Sequence, residues 1–193
     1  VEDAKRFLKV VEGDRLYAFY VLITTTAMRR GEALGLQKKH LLLSEKVVQV
    51  RTSLAYIRKK GLTLGEPKSK SSKRDIVLTQ FAVDALKNHL EYYPNTSGYV
   101  FATGNNTPFS PRNVLRHFKS KLSEAGLPQE VRLHDLRHSV ISWLLASSKI
   151  SIKDAQALAG HAQASTTIGI YAHLLPDYQR KTATAIEGLF STE

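Results

Sequence analysis

Residues 134–138 read His134-Asp135-Leu136-Arg137-His138 and lead into the apolar run Val140-Ile141-Ser142-Trp143-Leu144-Leu145. The pattern predicts a helix over about 134–148 that opens on a cluster of cationic and proton-exchanging side chains. His134, Arg137 and His138 stand three and four residues apart, so all three project from the first turns of one helix face. A helix N-terminus already favours anions through its free N–H groups and dipole, and an arginine there makes a phosphate pocket. The bland reading is that His134 or Asp135 only caps the helix. For a lone histidine that reading would be preferred; for this triplet in a basic chain the pocket is preferred.

Downstream, Leu158-Ala159-Gly160-His161 ends a predicted helix over 151–159 with glycine and places a histidine just beyond it. Taken alone, such a histidine usually does no more than bond the last carbonyls. Ten residues further on comes Tyr171, in Ser165-Thr166-Thr167-Ile168-Gly169-Ile170-Tyr171-Ala172-His173, predicted as a helix over 165–175. A tyrosine on such a helix is more often half-buried core than nucleophile. Pro176 marks a stop, and 177–190 reads as a last amphipathic helix with Tyr178, Ala185, Ile186 and Leu189 on one side.

Upstream, residues 2–9 read as a short helix, and a strongly apolar helix runs from Asp14, as N-cap, to about Ala27. Thr26-Ala27-Met28-Arg29-Arg30-Gly31-Glu32 then sets two arginines and a glutamate at a helix junction, with one more helical turn over Glu32–Leu36. An arginine there suits a bidentate phosphate clamp with Glu32 holding the guanidinium, or a surface ion pair of small consequence. The pattern next turns β-like through Val47, Val48, Val50, Thr52, Leu54 and Tyr56, breaks at Lys59-Lys60-Gly61, and resumes at Leu62-Thr63-Leu64. The run Pro67-Lys68-Ser69-Lys70-Ser71-Ser72-Lys73 is a turn, and Arg74 to Leu78 a third strand. After Thr79 a helical stripe of Phe81, Ala82, Ala85, Leu86, His89 and Leu90 follows, then loop over 94–112 with Tyr99-Val100-Phe101 extended, then a helix over 111–125. The expected fold class is therefore α+β: mainly helical, with a small three-stranded antiparallel sheet.

At 193 residues and 42% hydrophobic the chain suits one domain with a single core. It has no cysteine, which removes disulfides, thiolate metal sites and cysteine nucleophiles. No apolar stretch approaches the roughly 18 residues that span a bilayer, so a cytoplasmic setting away from membranes is expected. The net charge is +11, and the segment from Gln37 to Asp75, with eleven basic and three acidic residues, carries +8 of it. That is the electrostatic footprint of a partner made of phosphates, and a solvated basic face with no ligand explains it about equally well. The chain opens on Val1, so a longer parent is expected.

Taken in order, Thr-Ala-Met-Arg-Arg-Gly-Glu (26–32), the lysine turn, His-Asp-Leu-Arg-His (134–138), Ala-Gly-His (159–161) and Thr-Thr-x-x-x-Tyr-Ala-His-Leu (166–174) closely resemble the catalytic domain of tyrosine recombinases, the phage integrases. The resemblance runs from about Leu8 to Leu175. It implies one catalytic domain over 1–193, with a core over 1–175, a 177–193 tail that docks on a neighbouring subunit or packs on its own domain, and a second, N-terminal DNA-binding domain in the longer parent. It implies a site-specific recombinase in which Tyr171 attacks DNA, Arg29 and Arg137 grip the scissile phosphate, His134 accepts a proton and His161 bonds the phosphate. A lysine of the turn, Lys70 before Lys68, is the general acid; Glu32 supports Arg29, and His138 stands by in reserve. Arg30, Lys38, Lys39, Lys68, Lys73 and Arg74 are the expected DNA-backbone contacts. No metal or other cofactor is implied, and the working form is a homo-oligomer, a tetramer on two duplexes, with a monomer the alternative for the isolated domain. Where the family usually has glycine this chain has Ala27, which fits provided that its backbone does not need a positive φ. The rival readings are a type IB topoisomerase-like enzyme and a non-catalytic DNA-binding relative.

Overall fold

The computed structural model describes residues 2–67, 69–147 and 150–160, with Lys70 described at its backbone only. The expected helices over 165–175 and 177–190 lie outside these residues, as do Lys68, His161 and Tyr171. The order is α1 (Glu2–Val10), α2 (Tyr17–Thr26), α3 (Arg30–Leu34), β1 (Leu41–Leu42), β2 (Val47–Val50), β3 (Ser53–Ile57), β4 (Gly61–Gly65), β5 (Arg74–Val77), α4 (Gln80–Tyr92), α5 (Pro111–Glu124), α6 (Leu133–Ala146) and α7 (Ile152–Ala159).

The core is built around α2. Its sequence is apolar on every side, so it can only lie inside, and Ala18 through Ile23 are all buried. Helices α1, α3, α4 and α6 surround it. Phe7 of α1 fills the joint with α5, edge-on to Tyr20 at 4.9 Å and to Phe118 at 5.1 Å. The buried Tyr20 hydroxyl is satisfied by His117 Nδ1 at 2.9 Å, whose Nε2 meets Asp14 at 2.9 Å. A second, smaller core of Ala27, Ile141, Leu145, Ala155 and Ala159 joins α6 and α7 to the end of α2.

Three expectations shift. Helix α2 begins at Tyr17 and not at Asp14, because the Asp14 carboxylate accepts from Leu16 N at 2.8 Å and closes a turn of its own. In α4, capped by Thr79 accepting from Ala82 N, Phe81 is 49% exposed and Val83 takes its place in the buried stripe. The three-stranded sheet is there, but its strands are β1, β2 and β5, antiparallel in the order β1-β2-β5. Strands β3 and β4 pair as a separate hairpin, with Tyr56 opposite Leu62.

The split has a cause in α3. Thr52 turns the chain between β2 and β3, its hydroxyl donating to Gly35 O at 2.7 Å. Beyond it β3 lies directly on α3, where a Cβ added at Gly31 would sit 2.7 Å from Ser53 Oγ and 2.8 Å from Leu54 O. Only glycine admits this contact, which holds the segment carrying Arg29 and Glu32 against the hairpin. Gly31→Ala is expected to destabilise the chain by about 1–3 kcal/mol, the usual cost of overpacking; urea unfolding checks it, and an unchanged midpoint would show that β3 does not brace α3.

Candidate active site

The site forms where α2, α3, α6 and α7 end or begin. Helix α7 opens on a capping box in which Ser151 and Asp154 bond each other's backbone, and it stops at Gly160 in the left-handed conformation, φ 61°. A helix end leaves carbonyls without intrahelical donors and carries the negative pole of the dipole. Three arginines meet them in succession: Arg74 Nε donates to Leu158 O at 3.0 Å, Arg137 Nη2 to Ala159 O at 2.6 Å, and Arg29 Nη2 to Gly160 O at 2.9 Å.

Glu32 is the carboxylate beneath them, 2% exposed. One oxygen accepts from Arg29 Nη1 at 2.8 Å; the other accepts from Arg29 N at 2.9 Å and from Arg74 Nη2 at 3.1 Å. Burial alone would raise its pKa, but Arg74 and Arg29 together hold it below the usual carboxylate value. Arg29 also reaches Ser72 Oγ at 3.2 Å and keeps about a third of its side chain exposed, whereas Arg137 is 1% exposed.

Arg137 Nη1 donates to Ala27 O. Ala27 itself closes α2 with φ 53° and ψ 26°, so the backbone does take the positive φ that favours glycine. The strain costs about 1–2 kcal/mol, and it aims the carbonyl at Arg137 while the methyl packs with Ile141 and Ala155.

At the start of α6, Asp135 does cap the helix, accepting from Arg132 N at 2.9 Å. That capping leaves His134 and His138 to stack edge-on at 4.5 Å. His134 is pulled down to about 4, first by desolvation, then by His138, Arg137 and Arg29. It keeps enough surface open for water to temper the effect, and it is neutral at neutral pH.

The other expected contacts scatter. Arg74 is 9% exposed, with Nη1 on Ser72 O at 3.0 Å besides the two bonds above, and so serves as a strut of the pocket. Lys38 is committed to Asn95 O at 2.5 Å, and Lys73 pairs with Glu66 at 2.9 Å; Lys39 is exposed and Arg30 half-buried. Ser72, 3% exposed, escaped the sequence reading because a serine in a Lys/Ser turn looks solvated; only the fold brings it to Arg29. Among the described residues no cluster of three or more His, Asp or Glu is placed to hold a metal ion, and no helix is long and apolar enough to cross a membrane.

The sequence model of the phage integrase family matches residues 1–177. The chain belongs to the phage integrase family. Among curated members, a XerC-like tyrosine recombinase of Caldanaerobacter subterraneus subsp. tengcongensis is 28% identical over 98% of this chain and 53% of its own length. The ICEBs1 integrase of Bacillus subtilis is 28% identical over 97% of this chain and 53% of its own. The chain thus spans about half the length of these relatives. Among solved structures, the Tn1549 transposon integrase in complex with transposon right-end DNA shares the fold with a TM-score of 0.83 at 23% identity, covering 95% of this chain and 63% of that one. The XerA recombinase gives 0.75 at 25% identity, covering 95% and 61%. As an integrase-family catalytic fold, mostly helical with a small antiparallel sheet, the chain agrees with the resemblance read from its motifs.

Two outcomes follow for this integrase-family pocket. Glu32→Gln, which leaves two guanidiniums against a neutral amide, is expected to cost about 3 kcal/mol at pH 7. Because the folded pKa of Glu32 is depressed, the gap is full above the unfolded carboxylate range near 4.3 and closes as pH falls below it; a gap independent of pH would remove the charge from the account. By NMR, the His134 ring is expected to stay neutral from pH 8 down to about 5 and to titrate higher in Arg29→Ala; an ordinary midpoint near 6.5 would show that the pocket does not act on it.

Proposed function

We propose that the chain is the catalytic domain of a site-specific DNA recombinase that cuts and rejoins strands through a covalent 3′-phosphotyrosyl link. The observation that carries this is that Arg29 and Arg137, 108 residues apart, meet on the end of α7, Arg29 held there by Glu32, with His134 near enough to both for their charge to lower its pKa. Such an array suits a pentavalent phosphate, whose extra negative charge needs preorganised donors.

Tyr171 is the nucleophile. A phenol with a pKa near 10 attacks poorly at neutral pH, so it needs a proton acceptor and a cationic surrounding. His134 serves as acceptor, and the negative charge of a bound phosphate raises its basicity from the low value it has in the free chain. Arg29 and Arg137 stabilise the non-bridging oxygens, supplying the positive charge that divalent metals supply in many nucleases. His161 bonds the phosphate, and a turn lysine, Lys70 before Lys68, protonates the departing 5′ oxygen. The new P–O bond to Tyr171 conserves the ester, so a 5′ hydroxyl from another strand reverses the step and seals DNA without ATP. Double-stranded DNA is the partner, as the +11 charge and the solved DNA complex of the Tn1549 relative support. Strand exchange requires several copies, a tetramer on two duplexes, with the 177–190 segment docking on a neighbour.

The chain, mixed with nicked duplex from the junctions flanking its gene, is expected to give a protease-sensitive covalent adduct on a denaturing gel with EDTA present. Tyr171→Phe abolishes it, and Arg137→Lys lowers its rate by about 10²–10³-fold, as loss of one transition-state donor does. DNA bound without adduct would leave a binding relative in place of an enzyme.

A further inference from the structure

We infer that Arg74 is a positioning residue for the leaving-group step, fastening the lysine turn to the arginines that hold the phosphate. The inference rests on the function proposed above. Arg74 is the first residue of β5, directly after the turn, and each of its three nitrogens serves a different element. Nη1 donates to Ser72 O in the turn at 3.0 Å, Nη2 to Glu32 on α3 at 3.1 Å, and Nε to Leu158 O on α7 at 3.0 Å. A guanidinium is planar, so these three partners are held in a fixed relation that a lysine's single ammonium cannot reproduce.

Packing reinforces the geometry. A Cβ at Gly160 would come within 2.8 Å of Arg74 Nη1 and 3.1 Å of its Cζ, so the guanidinium is wedged beneath the end of α7. The turn is fastened a second time through Ser72, whose hydroxyl accepts from Arg29 Nη1 at 3.2 Å and pairs with Ser69 Oγ at 2.9 Å. The backbone of residues 69–73 is therefore tied at Ser72 O to Arg74 and at Ser72 Oγ to Arg29. Proton donor and phosphate clamp then move as one body. As the bond from phosphorus to Tyr171 forms and the P–O5′ bond breaks, the departing oxygen takes its proton from a lysine whose backbone Arg74 has placed.

A test separates placement of the proton donor from general damage. The nicked junction duplex is made in two forms, with oxygen or with sulfur at the 5′ bridging position; the thiolate leaves without needing a proton. Arg74→Lys, which keeps a positive charge beside Glu32, is expected to slow adduct formation about 10- to 100-fold on the oxygen form, within the span of general-acid effects, and less than about 3-fold on the sulfur form. Ser72→Ala follows the same pattern more weakly and is the second variant should Arg74→Lys fold poorly. Equal slowing on both forms overturns the inference. Independently of any reaction, hydrogen exchange at residues 69–73 and 158–160 should accelerate in Arg74→Lys while α2 is unchanged; unaltered exchange there overturns it too. If the unsubstituted chain gives no adduct with either DNA, the proposed function fails, while the exchange comparison still decides whether Arg74 holds the turn.

Discussion

Three consecutive carbonyls at the end of α7 are the constraint on which this site depends. Leu158, Ala159 and Gly160 present oxygens that no further helical turn can satisfy, and Gly160, at φ 61°, ends the helix abruptly enough for them to face different directions. Arg74, Arg137 and Arg29 each take one. Three guanidiniums in so small a volume repel one another; the helix dipole and the Glu32 carboxylate offset that repulsion. Were α7 one turn longer or shorter, the arginines would lose their common anchor.

The same constraint explains two local oddities. Ala27 keeps an unfavourable backbone conformation because its carbonyl is claimed by Arg137 and its methyl by the small core of α6 and α7. His134 loses basicity in the free chain because desolvation and the nearby cations oppose a further positive charge. Both features sit where the fold is asked to concentrate positive charge.

Much of this was legible beforehand. The apolar run of α2, the glycine stop at Gly160 and the β-type run of valines through β2 are local patterns, and local patterns survive into the structure. The division of the strands into two sheets was not legible, since it arises from Gly31 and Gly35 admitting β3 onto α3, a contact between segments that no periodicity relates. Arg74 illustrates the same limit. A charged residue beside a Lys/Ser turn reads as surface, and only the arrival of α7, more than 80 residues later, buries it.

By itself the amino-acid order determined the kinds of groups available and their local settings: an arginine-glutamate pair at a helix junction, a histidine-arginine cluster opening an apolar helix, a cationic turn. These follow from side-chain chemistry and from periods of a few residues. The tertiary structure decided which cations face outward and which are struts, because hydrogen-bond partners and burial depend on neighbours distant in sequence. Arg29 stays partly open, while Arg74 and Arg137 are shut in behind it.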